Sequence, residues 1–264
     1  SAEQAAKGGD LLALLEGAHL AAAQPAGAAH TSDQLPGGGT EGARNLAAML
    51  QAKAAAAAPW EQGLLGSAQL LCAVRLLAGG DAAAARDCLV GALELGQLSS
   101  AAAPVAHVLQ SMSAAVLAQQ AASSGEDGKK MQLEARWAAA TAVKELGSTP
   151  EGGACVVLPE ASVSKGQVAG GLVRLPARST TAGAAALALA EAEALRGKND
   201  KALEAAMQAL KAWPTPPPAE VLHFTASLET CQGVTKRTLA AKGVHAVPWD
   251  KQMWSQLQDA AVAT

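Results

Sequence analysis

Between Ala182 and Pro214 the chain reads AGAAALALAEAEALRGKNDKALEAAMQALKAWP, two Ala/Leu-rich segments separated by Arg196-Gly197-Lys198-Asn199-Asp200 and stopped by Pro214. Each segment suits an α-helix, and a glycine among polar residues suits a tight turn. Small residues recur where two antiparallel helices would touch, so the stretch predicts a helical hairpin. Composition removes the main alternative. About a quarter of the 264 residues are alanine, with one Phe and no Tyr or Ile. Alanine is the best helix former, whereas β-branched and aromatic residues favour sheets, so the expected fold class is all-α.

The hairpin resembles one tetratricopeptide repeat, a helix-turn-helix unit of about 34 residues. The resemblance is carried by Leu189 and Ala190 on the first helix, Gly197 in the turn, Ala202 and Ala209 on the second helix, and Pro214 after it. Three positions depart from the family pattern: Ala186 stands where Trp is usual, Glu193 where Tyr is, and Ala206 where an aromatic is. The same register reappears from Trp60 to Leu95, through Cys72, Ala73, Gly80, Ala85 and Ala92. It returns between Val105 and Gly147, through Leu117, Ala118, Gly125, Ala135 and Ala142, with about five extra residues around Glu126 to Lys130. Those extra residues are expected to project from the turn, as a solvated spacer or a contact element. The resemblance implies a TPR-like α-solenoid of antiparallel helical hairpins that mediates protein–protein interaction.

Four regions follow. Residues 1–58 are expected to hold N-terminal helices and a mobile Gly-rich loop at Pro25 to Gly42, with a helix from Glu41 to Ala58 closed by Pro59. Residues 60–147 hold two hairpins. Residues 148–180 form an irregular insert, because Gly152, Gly153, Pro159, Gly166 and Pro176 exclude a long helix. Its strand-like runs, Cys155 to Leu158 and Gly171 to Leu175, allow a short hairpin or an ordered loop. Residues 181–264 hold the clearest hairpin and three further helices, at Ala219 to Cys231, at Val234 to Lys242, and after Pro248. In the last of these, Trp249, Met253, Trp254 and Leu257 are expected to share one face, which either caps the array or docks on a partner.

Chemistry is sparse. A net charge of −3 and a pI near 6.0 disfavour a nucleic-acid surface. No apolar run is long and clean enough to cross a bilayer, so membrane insertion is not expected. Cys72, Cys88, Cys155 and Cys231 are far apart and read as reduced core residues. A soluble protein of a reducing compartment is expected. Ser1 in first place fits either removal of an initiator Met or loss of a targeting peptide, so that compartment is cytoplasmic or organellar.

Gly37 to Arg44 has P-loop spacing but carries Ala43-Arg44 where Lys and Ser/Thr are needed. His19, His30, His107, His223 and His245 are isolated, so no metal ligands are expected. Ser164 and Ser179 lack a nucleophile-elbow context. No catalytic or cofactor-binding residue is expected. One tetratricopeptide subclass clamps carboxylates with basic inner-helix residues. Here Ser67 to Leu77, Val105 to Ala121 and Ala182 to Leu195 offer Arg75 as a lone cation, so that clamp is not expected.

Of the tryptophans, Trp137 and Trp213 are expected to fill gaps in an alanine core, while Trp249 and Trp254 could serve packing or contact equally. The function expected is a non-catalytic scaffold, an accessory subunit of a larger assembly. The alternative is an adaptor that captures a partner peptide in the concave face, and a third reading is an enzyme or ligand binder around the insert.

An alanine core has an energetic consequence. A buried Leu contributes roughly 1.5–3 kcal/mol and an alanine methyl about a third to a half of that, against roughly 1–2 kcal/mol of ordering cost per residue. The isolated chain is therefore expected to be marginally stable and to unfold below about 70 °C. Calorimetry of the purified chain checks this, and a single sharp transition above that temperature would overturn it.

Overall fold

The computed structural model describes residues 39–54, 57–148, 179–212, 217, 219–228, 230–246, 248–249 and 251–262. The regions expected at 1–38 and nearly all of the 148–180 insert lie outside the described residues, as do Cys155, Trp213 and Pro214. Every regular element among the described residues is helical: α1 (Gly39–Ala54), α2 (Pro59–Ala78), α3 (Ala82–Glu94), α4 (Ala102–Ser124), α5 (Lys129–Ser148), α6 (Ser179–Leu195), α7 (Asn199–Ala212), α8 (Ala219–Ser227), α9 (Gly233–Ala246) and α10 (Lys251–Val262). Each helix packs on the next in sequence. In addition α2 touches α4 and α4 touches α6, so the first helices of successive hairpins form a row.

The three hairpin turns are built alike. Gly80, Gly125 and Gly197 adopt left-handed backbone, with φ of 82°, 78° and 69°, where a Cβ would be strained. In each turn the glycine N–H donates to the carbonyl three residues back, and the next N–H donates five back. The bonds run from Gly80 to Leu77 and Asp81 to Leu76, from Gly125 to Ala122 and Glu126 to Ala121, and from Gly197 to Ala194 and Lys198 to Glu193. This double closure satisfies carbonyls that the ending helix would otherwise leave bare and reverses the chain within a few residues. In the first turn Asp81 then caps α3, its Oδ1 accepting from the Ala84 N–H at 3.1 Å.

The second helices share a face as well as a turn. Buried positions recur at i, i+3, i+4 and i+7: Ala85, Cys88, Leu89 and Ala92 on α3, Ala135, Ala138, Ala139 and Ala142 on α5, and Ala202, Ala205, Ala206 and Ala209 on α7. Counted from the turn-anchored alanine, the three sets occupy one register. All the matched alanines and Cys72 are buried, with Leu117 and Leu189 half-buried beside them. The core changes character along the chain. Around α2 it includes Leu46, Leu50, Leu65, Leu76 and Leu89, whereas between α4, α5 and α6 it is nearly all alanine.

Two expectations need correction. The extra residues of the second hairpin do not project as a loop. Gly125 stands two residues further from the start of the following helix than Gly80 or Gly197 do, and α5 begins three residues earlier relative to Ala135 than α3 and α7 do relative to Ala85 and Ala202. The turn also folds back, with Gly128 buried so close to α4 that a Cβ would come within 2.8 Å of the Ala118 carbonyl. The helix expected at Glu41 to Ala58 runs instead over Gly39–Ala54, so residues 39–42, expected in the Gly-rich loop, are helical.

Close alanine contact leaves no room for growth. Ala206→Leu is expected to destabilise the chain by about 1–3 kcal/mol through overpacking. Ala83→Leu on the exposed side of α3 should stay within about 0.5 kcal/mol of wild type. Urea denaturation midpoints at constant slope distinguish the two.

Candidate interaction surface

Helical spacing brings three faces together beside the alanine contacts. Val90, Leu93 and Glu94 of α3 face Ala103, His107 and Gln110 of α4, with Trp137 and Glu145 of α5 completing a cleft of about 500 Å³. Residues three or four apart share one side of a helix, which is why these side chains converge. His107 and Gln110 are buried and form the floor. His107 Nε2 stands 3.5 Å from Glu145 Oε1, and its ring meets Trp137 edge-on with centroids 5.7 Å apart. His107 Nδ1 and Gln110 Oε1 have no hydrogen-bond partner.

A polar network bounds the cleft at the Gln110 end. Gln110 Nε2 donates to Glu134 Oε1 at 3.2 Å, and Arg86 grips the same carboxylate with two bonds of 2.8 Å. This forked geometry ties α3, α4 and α5 into one register. Arg136 occupies the position in α5 that Arg86 occupies in α3, one residue after the buried alanine, and also reaches forward: its Nε donates to Glu193 Oε1 at 2.8 Å. Arg196 Nη1 donates to Glu193 Oε2 at 2.9 Å. Glu193, a departure from the repeat pattern, is thus the buried acceptor that the second arginine requires. Sequence reasoning missed both pairs, although the repeated Ala-Arg dipeptide in one register was visible. Arg44 of α1 makes a third contact, to the α3 cap Asp81. Burial alone would raise the Asp81 carboxyl, but hydrogen bonds from Arg44 and the Ala84 N–H outweigh it and hold it below its ordinary range.

Large apolar side chains lie outside. Trp137, expected in the core, is 57 % exposed, and Leu133 one turn earlier is exposed beside it. Trp60 is 67 % exposed and Leu64 follows one turn later. An alanine stripe has no volume for an indole, so Trp137 lies beside the stripe at the cleft, edge-on to His107 and with much of its ring in solvent.

The four C-terminal candidates do not share one face. Met253 is buried over Gly243, where a Cβ would strike its Sδ and Cε, and Leu257 packs half-buried against the same cluster. Trp249 lies in the turn before α10 and is exposed. Trp254 points outward, its Nε1 donating to the Pro248 carbonyl at 2.8 Å.

Other sites offer little chemistry. Cys72, Cys88 and Cys231 are free and buried. Burial pushes the thiols of Cys72 and Cys231 up and that of Cys88 up to about 12, so they stay protonated at neutral pH. Burial likewise pushes the Glu191 carboxyl up to about 7. Among the described residues no cluster of His, Cys, Asp or Glu has metal-site geometry, and no helix is long and apolar enough to cross a membrane. Arg75 of α2 is itself buried. Compared with known proteins, the chain matches no family model and no curated protein.

The ion pairs differ in worth. Arg86→Ala is expected to cost about 1–3 kcal/mol, because it strips a part-buried carboxylate of two charged hydrogen bonds. Asp87→Ala removes only the exposed partner of the same arginine and should cost under about 0.5 kcal/mol. Chemical denaturation of both variants checks the contrast.

Proposed function

We propose that the chain is a TPR-like α-solenoid acting as a non-catalytic scaffold, an accessory subunit of a larger protein assembly. The observation that carries this reading is an inversion of side-chain size. The core is built largely from alanine, while Trp60, Leu64, Leu133, Trp137, Trp249 and Trp254 stand exposed. Exposed clusters of large apolar side chains mark contact surfaces, and Trp is enriched among residues that dominate binding. Three hairpins with one turn chemistry and one buried register support the repeat assignment, and the row of first helices from α2 through α4 to α6 is how such units stack.

Affinity purification of the tagged chain from its native source tests the proposal. It is expected to recover stable partners in fixed stoichiometry, and Trp60→Ala with Leu64→Ala should reduce recovery without lowering the melting temperature. Recovery of the wild-type chain as a free monomer would sink the reading.

A further inference from the structure

The cleft between α3, α4 and α5 carries a chemical signature that the other exposed apolar patches lack. Its described lining includes two carboxylates, Glu94 and Glu145, and neither Lys nor Arg. Both carboxylates lie near the C-terminal ends of their helices, α3 and α5, where the helix dipoles add negative potential. The exposed indole of Trp137 forms one wall, and Val90, Leu93 and Leu98 form an apolar wall. Gln110 Oε1 and His107 Nδ1, on the floor, lack a donor. A cation is what this arrangement complements.

We propose that this cleft receives an arginine side chain from a protein partner, presented on a short segment with apolar flanking residues. The inference rests on the scaffold reading and gives it a partner chemistry. A planar guanidinium stacks on the Trp137 face while forking to Glu94 and Glu145, which a point-charge ammonium does less well. The apolar flanks cover Leu93 and Leu98. A volume of about 500 Å³ fits one long side chain and its neighbours. The site is formed by the second helices α3 and α5 over the first half of α4, so it takes its floor from one member of the row of first helices.

Fluorescence anisotropy with the full chain tests this, using a labelled peptide with one arginine between leucines, its neutral citrulline twin, and agmatine as competitor. The arginine peptide should bind about tenfold more tightly than the citrulline peptide, with affinity falling as salt rises. Glu94→Gln with Glu145→Gln should remove the difference, and Trp137→Ala should weaken the arginine peptide about fivefold or more. These positions are exposed or half-exposed, so unchanged melting temperatures confirm that each variant folds.

Equal binding of the two peptides, no binding of either, or an arginine preference that survives the double Gln variant would overturn the proposal. Agmatine binding as tightly as the peptide would reassign the cleft to a free small cation and overturn the protein partner. Native partners that co-purify unchanged with the double Gln variant would remove the cleft while leaving the scaffold intact. Arginine-selective peptide binding by a chain that recovers no native partner would keep the cleft's chemistry and remove the scaffold.

Discussion

The structure depends on helices meeting through alanine. At the junction of α4, α5 and α6 the contacting side chains are almost all methyl groups, Ala114, Ala115, Ala135, Ala139, Ala142, Ala185, Ala188 and Ala192 among them. Such faces let backbones approach closely and lose little side-chain entropy, because alanine has no rotamers to fix. They also bury little area per residue. Each contact is therefore weak in transfer energy and intolerant of added volume, a combination that makes turn geometry and polar bonds matter more than in a leucine core.

Alanine faces carry little information about register, since sliding one stripe along another exchanges methyl for methyl. Direction comes from elsewhere. The three glycine turns set where each hairpin reverses, and the arginines set which neighbour it meets: Arg44 with Asp81, Arg86 with Glu134, and Arg136 with Glu193. Two of these arginines repeat in register, while their partners sit on different elements, one on a second helix and one on a first helix. The repeated feature is a reach toward the following hairpin, and the acceptor has been placed to suit local geometry.

Much of this was legible in the residues. Gly80, Gly125 and Gly197 were identifiable as turn glycines because each sits between Ala/Leu-rich segments, and all three adopt the left-handed conformation that the turn requires. The buried second-helix stripe followed from alanine at helical spacing. Side-chain direction was less legible where alanine surrounds the residue in question. Trp137 departs from its expected place in the core because facing, not volume, decides it: of the alanines that follow it, Ala138 and Ala139 are buried and Ala140 is half-buried, while the indole itself is exposed. The spread of Trp249, Met253, Trp254 and Leu257 failed for a related reason, since a broad helical face does not say which edge meets Gly243. The cleft was invisible because it draws on three helices, and no local spacing relates Glu94 to His107 and Glu145.

The C-terminal end shows the same division of labour at one site. Gly243 removes a side chain from α9 so that Met253 of α10 can settle into the space, and Leu257 extends that contact one turn on. A flexible thioether suits an irregular pocket that alanine would leave partly empty. With Met253 turned inward, Trp254 lies about 100° further round the helix and faces out, tied by its indole N–H to the Pro248 carbonyl. Adjacent residues on one helix thus do opposite things, one packing against α9 and the other leaving an oriented aromatic on the surface. The pattern matches α5, where buried Ala138 follows exposed Trp137. In both helices the inward face is occupied by what fits a close contact, and the indole goes to the face that has room for it.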